Sequence, residues 1–505
     1  MGQIDISVQK ARAALQRLPA IDAQAGTTRA SANNIVFPPE HLKALHPDRP
    51  LVVGMRGAGK TYWCNALLDD SMRRLLGRVL PSMRLNEFTH CSPGFGLDPL
   101  PDSYPGPRGL AELLVTFDAA HVWWSIVASQ LFRAHGDVAQ IPAGFDASRD
   151  WRTQIEWFQQ NQTSVEEALA RLDATLVTAK RAHLVVFDSL DRTSSTWTQI
   201  RKSLRGLLKV LLEFRSFRAI RLKAFVRPDM LNDSEVNSFP DASKVLSGRV
   251  VLQWSNTDLY NLLWRHCAND AQFGEEFRSV CEIAGELNWQ GAQFSDVTSY
   301  FLPLALSQNE KLQRLIFHAF SGPFMGSDRR KGYPYTWLPN HLADELGHVS
   351  PRSFIAALHV AADVTVQRYD GYRFALHHEA IKSGVEKASL IRKDEIEEDY
   401  SWVRYSLACL EGFNVPVRWQ DIRGRWAKVD LINKLPDLMA KDDPNNAKSH
   451  LLPDLRFRED SLRDALIGLG VMSKMREEGK LNMPDVYRVA FGIGRKGGQP
   501  PVRSR

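Results

Sequence analysis

A glycine-rich segment with one lysine and one hydroxyl residue carries the strongest chemical signal in the sequence. It reads GMRGAGKT over residues 54–61, which is the G-x-x-x-x-G-K-T pattern of a phosphate-binding P-loop. Glycines at these places let the backbone bend tightly, so that its N–H groups point at phosphate oxygens. Lys60 adds a cation for the β- and γ-phosphates, and Thr61 offers a hydroxyl to Mg²⁺. The predicted nucleotide-binding residues of this segment are Gly54, Arg56, Gly57, Ala58, Gly59, Lys60, Thr61 and Tyr62.

An apolar run that ends in acid, LVVFDSLD over residues 184–191, predicts the second part of the site. In P-loop enzymes an acid at the end of a buried strand holds Mg²⁺, and Asp188 is placed for that role. A further carboxylate is needed to orient or deprotonate the attacking water. The residue directly after the acid is Ser189 rather than Glu, so Asp191 is the best substitute. The alternatives are that Asp188 caps the next element and that Asp191 belongs to a surface turn.

Two arginines complete the candidate set. Arg227 follows the apolar run LKAFV, at a strand end beside the P-loop, where a cation can sense the γ-phosphate and stabilise charge in phosphoryl transfer. Pro228 directs the chain out of the sheet there, and a solvated arginine at the sheet edge is the alternative. Arg352 would project from a helix that Ser350 and Pro351 begin. Its local sequence favours an ordinary surface arginine.

The elements that must position these residues alternate between short apolar strands and helices, which predicts an α/β domain with a parallel sheet. The predicted strands are residues 51–53, 83–88, 183–188, 222–227 and 249–254. Helical apolar spacing predicts helices over residues 62–68, 121–132, 165–180 and 196–214. Residues 92–110 are rich in Pro and Gly, which predicts a loop, and residues 256–368 have an almost wholly helical pattern, which predicts a helical lid.

The C-terminal part has the pattern of a winged helix. Three helices are predicted within residues 399–413, 417–429 and 461–475, and two short strands around a Pro turn are predicted within 476–494. Residues 471–505 hold eight Lys/Arg against three Asp/Glu, so contact with a phosphate backbone is an alternative to simple packing on the ATPase. The predicted division is an N-terminal helix and link (1–35), a P-loop core (36–255), a helical lid (256–390), a winged-helix-like domain (391–494) and a basic, flexible tail (495–505).

A second basic stretch lies around the helix between the two strands that carry the candidate residues. A charge run on a helix is usually a solvated face, and a subunit interface in a ring is the alternative. Its members are Arg201, Lys202, Arg205, Lys209, Arg215, Arg218 and Arg221.

Composition limits the class of protein. The chain has 505 residues, a formal net charge of +6 and five cysteines without a C-x-x-C pair. This mild charge does not predict a general affinity for polyanions. The scattered cysteines argue against a zinc site or a disulfide framework and favour the reducing cytoplasm. No apolar run approaches the roughly 20 residues that span a bilayer, and the N-terminus lacks a signal-peptide core, so no membrane partner is predicted.

The motifs matter most as an ordered set. GMRGAGKT, LVVFDSLD, KAFVRPD, VLQWSNTDLYNLLWRHC and HVSPRSF follow one another along the chain. This set resembles the AAA+-related STAND and KAP P-loop ATPases of bacteria, and less closely the origin-recognition type of AAA+ ATPase. The resemblance implies an hhhhDxxD Walker B motif, a sensor 1 arginine, a Trp- and Leu-rich lid start and a Pro-Arg sensor 2. These roles fall on Asp188 and Asp191, on Arg227, on Trp254 and Leu259, and on Pro351 and Arg352.

These patterns predict an α/β P-loop NTPase, a parallel sheet flanked by helices, with a helical lid and a C-terminal winged-helix-like domain. The predicted catalytic residues are Lys60, Asp188, Asp191 and Arg227, the metal ligands are Thr61 and Asp188, and Arg352 is a further nucleotide contact. The predicted cofactors are ATP and Mg²⁺. The lack of an N-K-x-D guanine signature favours ATP, and GTP is the alternative.

The predicted role is a nucleotide-driven switch in a bacterial multi-protein system, with antiviral defence the setting that the resemblance favours. The chain has no obvious sensor, repeat or effector domain, so protein partners or self-association are expected. One alternative is a DNA-binding AAA+-like loader or remodeller that uses the winged helix and the basic tail. Another is a scaffold that holds nucleotide with little turnover, which the missing Glu after Asp188 favours.

Overall fold

The computed structural model describes residues 5–18, 35–136, 140–194, 196–231, 234–294, 297–442, 453, 455–477 and 479–502. The chain divides into two compact units. The sheet unit spans Phe37–Gln253, and the helical unit comprises the residues from Trp254 onward together with the N-terminal helix α1 (Val8–Gln16). The predicted link over residues 19–34 and the tail residues 503–505 lie outside the described residues.

The sheet unit consists of five parallel strands flanked by helices. The strands are β1 (Leu51–Val53), β2 (Phe88–Phe95), β3 (Ala182–Phe187), β4 (Ile220–Val226) and β5 (Val250–Val251). The helices are α2 (Pro39–Leu45), α3 (Lys60–Leu68), α4 (Asp70–Val79), α5 (Pro107–Thr116), α6 (Ala119–His135), α7 (Trp151–Gln160), α8 (Gln162–Thr178), α9 (Trp197–Glu213), α10 (Pro228–Leu231), α11 (Ser234–Asn237) and α12 (Ala242–Leu246).

The strand order β2-β3-β4-β1-β5 makes neighbours of the strands whose carboxyl ends carry the predicted P-loop, Asp188 and Arg227. All six residues of β3 and all three of β1 are buried, as expected for apolar runs in a parallel sheet covered on both faces. Strand β4 lies between β1 and β3, with Val226 opposite Val53 and Ala224 opposite Phe187. The carboxyl ends of β1, β4 and β3 are therefore neighbours.

The strand predicted over residues 83–88 is wrong. Two 3₁₀ turns, Pro81–Met83 and Leu85–Glu87, occupy this stretch, and β2 begins only at Phe88. It runs to Phe95, into the predicted loop 92–110, and α5 takes the end of that loop. The sequence predicts a loop here, rather than a strand, because Pro93 lies within β2. A proline is tolerated there, since β2 is at the edge of the sheet, where fewer backbone N–H groups are needed for pairing.

The basic stretch on α9 is mostly bound within the sheet unit. Arg201 pairs with Glu235 at 3.4 Å, and Arg205 donates to the carbonyl of Ser238 at 2.9 Å. Arg215 donates to a carbonyl of α12 at 2.6 Å. These arginines therefore fasten the segment that follows β4 onto α9. The predicted subunit interface stays a prediction.

The helical unit contains the remaining elements. Its helices are α13 (Asn256–Ala268), α14 (Gly274–Gly285), α15 (Leu304–Ser307), α16 (Glu310–Ser321), α17 (Pro334–Leu342), α18 (Pro351–Arg368), α19 (His378–Asp399), α20 (Ser401–Ala408), α21 (Trp419–Lys428), α22 (Leu431–Asp442), α23 (Glu459–Gly468) and α24 (Asp485–Arg488). Its strands are β6 (Gln290–Phe294), β7 (Val297–Phe301), β8 (Asn414–Val415), β9 (Val417–Arg418), β10 (Ser473–Lys474), β11 (Lys480–Asn482) and β12 (Gly494–Arg495).

Among the described residues of the segment predicted as a lid, helices predominate and β6 and β7 form an antiparallel hairpin. Its apolar core includes residues of α1, α13, α16, α17 and α18. The N-terminal helix is attached by Arg12, a buried side chain that donates to the carbonyls of Ala375 at 3.2 Å, Tyr372 at 2.8 Å and Phe374 at 3.0 Å. Nη1 of Arg12 also donates to the carbonyl of Asp370 at 2.6 Å and to the carboxylate of the same residue at 3.1 Å. Because these acceptors together satisfy the guanidinium, α1 is an integral part of the helical unit.

The C-terminal segment has the predicted winged-helix pattern. Helices α20, α21 and α23 surround a separate apolar core, and β10, β11 and β9 form a three-stranded antiparallel sheet. The wing differs from the prediction: it is the β10–β11 hairpin, which turns before Pro484 rather than around it. The fold class is therefore confirmed. Helix α19 continues through the predicted boundary at 390/391, and the predicted domain limits stay predictions.

The tail predicted to be flexible is docked as far as residue 502. Strand β12 pairs with β8, which fixes the chain at Gly494–Arg495. The buried Gln499 donates to a carboxylate oxygen of Glu386 at 3.0 Å, and the backbone N–H of Val502 donates to the carbonyl of Val489 at 2.9 Å. The basic composition of the tail does not predict these hydrogen bonds, because their acceptors lie elsewhere in the chain.

Candidate nucleotide-binding site

The P-loop has the backbone conformation that its glycines predict. It leaves β1 at Gly54, whose N–H donates to the carbonyl of Val226 at 3.0 Å, and it ends where α3 begins at Lys60. Gly57 and Gly59 have φ angles of 75° and 100°, a region that other residues rarely adopt. The loop is therefore wrapped around the start of α3, where backbone N–H groups and the helix dipole favour an anion.

Lys60 lies inside this loop. Its ammonium donates to the carbonyl oxygens of Gly54 at 2.8 Å and Met55 at 3.0 Å. Burial lowers the pKa of Lys60, and the negative charge of Asp188 opposes that shift. Because both protein acceptors are neutral, the positive charge is only partly compensated. The residues of the loop therefore fit a polyphosphate.

Thr61 and Asp188 meet directly beneath the loop. The Thr61 hydroxyl donates to Oδ2 of Asp188 at 2.7 Å, and Asp188 is only 3% exposed. Burial raises the pKa of Asp188, while the hydrogen bond from Thr61 and the charge of Lys60 lower it. A hydroxyl beside an incompletely compensated carboxylate is the oxygen donor set that suits Mg²⁺. The arrangement thus fits the predicted metal role.

Arg227 ends β4 between the P-loop strand and the acid strand. Its guanidinium forms a two-point pair with Asp229, with Nε–Oδ1 of 3.1 Å and Nη2–Oδ2 of 2.8 Å. Its Nη1 lies 3.8 Å from Oδ2 of Asp191. Asp191 reaches this place because Ser189 turns the chain sharply, with a φ of 56°, directly after Asp188. The structure thus brings Asp191 and Arg227 together.

The remaining predicted nucleotide contacts are placed as follows. Ala58 is buried in the loop and donates its N–H to Met55 at 3.1 Å, and Tyr62 packs edge-on against Trp63 on α3. Arg56 is a half-buried residue of the loop. Arg352 belongs to the helical unit, where it pairs with Glu395 at 3.0 Å. The nucleotide contact predicted for Arg352 stays a prediction.

Two polar contacts near the site escaped the sequence interpretation. Asp229, the partner of Arg227, was overlooked, although the Arg-Pro-Asp sequence places a carboxylate two residues after the arginine. The indole N–H of Trp63 donates to Nδ1 of His41 at 3.0 Å, which ties α2 to α3. Burial lowers the pKa of His41 to about 4, so this imidazole is neutral and can accept the bond.

A chain of buried histidines lies elsewhere in the sheet unit. The Ser92 hydroxyl lies 2.9 Å from Nε2 of His183, whose Nδ1 lies 2.9 Å from Nε2 of His135. Burial lowers the pKa of both imidazoles, that of His135 to about 4, so His183 is a poor base for activating the serine. These groups satisfy one another across β2, β3 and α6.

Other classes of site are not found in the part of the chain that the structure describes. No group of three or more His, Cys, Asp or Glu side chains there is arranged to hold a metal ion. The five cysteines are free thiols. Within the described ranges, no helix combines the length and the apolar character needed to cross a membrane.

Comparison with known proteins gives only distant similarity. The sequence matches no protein-family model and no curated protein. The Orc1 protein of Aeropyrum pernix in complex with DNA is 14% identical, with a TM-score of 0.32, over 89% of this chain and 90% of that one. Cdc6p of Pyrobaculum aerophilum is 11% identical, with a TM-score of 0.28, over 92% and 93% of the two chains. The Orc2 protein of Aeropyrum pernix, in ADPNP-ADP complexes, is 13% identical, with a TM-score of 0.29, over 93% of each chain. Such low TM-scores support no conclusion about activity, and the predicted family stays a prediction.

Proposed function

We propose that this chain is an ATP-binding P-loop NTPase that hydrolyses ATP with Mg²⁺ and acts as a nucleotide-driven conformational switch. One observation carries the proposal. Lys60, Thr61, Asp188 and Arg227 lie at the carboxyl ends of three neighbouring parallel strands, β1, β3 and β4. Phosphoryl transfer needs a cationic loop for the phosphates, oxygen ligands for a metal ion and a further cation for the developing charge. The carboxyl ends of these strands bring all three together.

Each residue has a distinct part in the proposed reaction. Lys60 exchanges the carbonyls of Gly54 and Met55 for phosphate oxygens of the nucleotide. Thr61 and Asp188 would hold Mg²⁺, which when bound neutralises charge on the phosphates. Asp191 accepts a hydrogen bond from the water that attacks the γ-phosphate in line. Arg227 donates to the γ-phosphate and stabilises the charge that develops there.

The deciding experiment measures ATP binding and steady-state hydrolysis by Lys60→Ala. Loss of this cation should lower hydrolysis on the order of 10²-fold or more and weaken binding, since the ammonium contacts the charge that moves in the reaction. Lys202→Ala, an exposed lysine of α9, is the matched control and should behave as wild type. Unchanged binding and hydrolysis in Lys60→Ala would refute the proposal.

Slow turnover, in which the chain mainly holds nucleotide, is a second candidate. The closeness of Arg227 Nη1 to Oδ2 of Asp191, 3.8 Å, favours it, because a guanidinium at this place competes with the attacking water for the carboxylate. A single-turnover assay separates the two. Intact ATP recovered from the site after many minutes supports the holding role, and release of ADP and phosphate supports the switch.

A DNA-acting machine is the third candidate, and the winged helix supplies its observation. Helix α21 and the residue before it expose basic side chains, namely Arg418, Arg423, Arg425 and Lys428. The helix before the wing, α23, instead carries Asp460 and Asp464, both paired with Arg463. Contact with DNA would therefore involve α21 more than α23. Reversing the charges of Arg423 and Lys428 should abolish DNA-stimulated hydrolysis and reduce the salt dependence of binding.

The wider setting is part of the proposal and rests on the resemblance in motifs alone. We propose a STAND- or KAP-type ATPase in the bacterial cytoplasm that works with protein partners and serves antiviral defence. Copurification of partners with the wild-type chain and with the Lys60→Ala variant tests whether nucleotide controls their binding.

A further inference from the structure

Asp229 ends the KAFVRPD motif, and no role is predicted for it from the sequence, yet it binds the proposed sensor Arg227 directly. Its carboxylate binds Arg227 at two points, Nε at 3.1 Å and Nη2 at 2.8 Å. The side chains are 20% and 15% exposed, so the pair is largely withdrawn from water. Two parallel hydrogen bonds between a guanidinium and a carboxylate fix the plane of the guanidinium as well as its position.

This orientation directs the third nitrogen of Arg227. With Nε and Nη2 engaged by Asp229, Nη1 faces Asp191, whose Oδ2 is 3.8 Å away. Arg227 thus lies between two carboxylates, held firmly by one and loosely by the other. Asp191 is the more exposed of the two, at 42% against 20%, and can therefore turn towards a bound water.

We infer that Asp229 is a positioning residue, which holds the guanidinium of Arg227 for the γ-phosphate and keeps it from closing on Asp191. The inference deepens the proposed function and rests on it. When the carboxylate of Asp229 is removed, less negative charge opposes the attraction of Asp191. Arg227 then moves towards Asp191, so one change impairs both the contact with the γ-phosphate and the orientation of water.

The test uses the full chain with Asp229→Asn, Asp229→Glu, Arg227→Ala and the double variant of Arg227→Ala with Asp229→Asn. Kcat and the affinities for ATP and ADP are measured for each. Asp229→Asn should lower kcat on the order of tenfold or more, as for other supporting contacts of a site, and should reduce the preference for ATP over ADP. ADP affinity should not change, because ADP lacks the γ-phosphate. Asp229→Glu restores a carboxylate and should recover part of the activity.

The matched control is Asp241→Asn. Asp241 also follows β4 in the chain and pairs with a cation, Lys244 at 2.9 Å, but this pair is exposed and lies outside the site. It also has a left-handed φ of 63°, which asparagine accepts. Asp241→Asn should therefore leave kcat and both affinities as in wild type.

The double variant separates positioning from a merely structural role. If Asp229 acts through Arg227, the double variant has the kcat of Arg227→Ala alone. Additive losses, equal weakening of ATP and ADP, or wild-type behaviour of Asp229→Asn would each overturn the inference. The Lys60→Ala measurement distinguishes failure of this inference from failure of the proposed function. If Lys60→Ala loses ATP while Asp229→Asn is unchanged, only the inference fails; if Lys60→Ala is unchanged, the proposed function fails.

Discussion

Replacement of Asp188 by asparagine should stabilise the protein while it abolishes Mg²⁺-dependent hydrolysis. Asp188 is 3% exposed, and burial raises the pKa of its carboxyl above the unfolded value. A raised carboxyl pKa means that folding disfavours the ionised form, so stability is lost as the pH rises through the folded pKa. Near neutral pH the ionised carboxylate therefore costs folding free energy, and the neutral amide does not.

The size of the expected change in the free energy of unfolding follows from the contacts of Asp188. The amide oxygen of asparagine can still accept the Thr61 hydroxyl, which lies 2.7 Å from Oδ2. Exchange of a charged acceptor for a neutral one gives up about 1 kcal/mol of hydrogen-bond strength. Relief of a buried charge recovers more than that, and loss of the attraction between Asp188 and the buried Lys60 offsets part of the recovery. We therefore expect a net gain of about 0.5–2 kcal/mol, the usual size of a stabilising substitution. For a unit of this size, the Tm should rise by roughly 1–8 °C.

The assay is calorimetric melting of wild type, Asp188→Asn and Asp188→Ala, each with and without ATP and Mg²⁺. Asp188→Ala leaves the Thr61 hydroxyl without its acceptor and opens a small cavity, so it should melt below wild type. Nucleotide with Mg²⁺ should raise the Tm of wild type by mass action and should raise that of Asp188→Asn less. An Asp188→Asn protein that melts lower than wild type, or that retains hydrolysis, would refute this reasoning.

Three further predictions concern packing and pH. Gly384→Ala should destabilise the helical unit by about 1–3 kcal/mol in calorimetry, because a Cβ there would lie 2.2 Å from the carbonyl oxygen of Ala357 on the facing helix. Gly424→Ala on α21, which meets nothing within 4 Å, is its control and should be neutral or stabilising. Burial lowers the pKa of Lys223 from 10.5 to about 7, so stability against denaturant should rise between pH 7 and 10, and Lys223→Met should flatten this slope. Burial lowers the pKa of His135 to about 4, so stability should fall as the pH drops from 6.5 towards 4; a flat profile over that range would contradict the assignment.

The sequence predicts those parts of the site whose geometry is local. The P-loop needs only a strand, glycines with positive φ and a helix in immediate succession, and all three are adjacent in the chain. Asp188 is predictable because an apolar run that ends in acid marks a buried strand end. The contact of Asp188 with Thr61 follows once β1, which leads into the P-loop, and β3 belong to one parallel sheet. The long helices were predicted well for the same reason, since their apolar spacing is a local property.

The sequence does not predict features that depend on contacts between residues far apart in the chain. Strand β2 contains Pro93 and Gly94, which normally signal a loop, and only its place at the sheet edge makes them tolerable. The acceptors of Gln499 lie far away in sequence, so composition suggested a flexible tail where the chain is docked. Arg352 pairs with Glu395, 43 residues further along, which no local pattern could show.

The arginines of α9 show why a basic helix need not indicate an anionic partner. Arg201 and Arg205 bind the segment that leaves β4 just after Arg227, through Glu235 and the carbonyl of Ser238. The described residues of that segment form the short helices α10, α11 and α12, and the arginines donate the hydrogen bonds that hold it against α9. The chain on the far side of Arg227 is thus anchored independently of Asp229. With the segment held in this way, we expect the side chain of Arg227, rather than its backbone, to respond to nucleotide in the proposed function. For this reason loss of the two-point contact with Asp229 should alter catalysis through the position of the Arg227 side chain, without unfolding the segment that follows it.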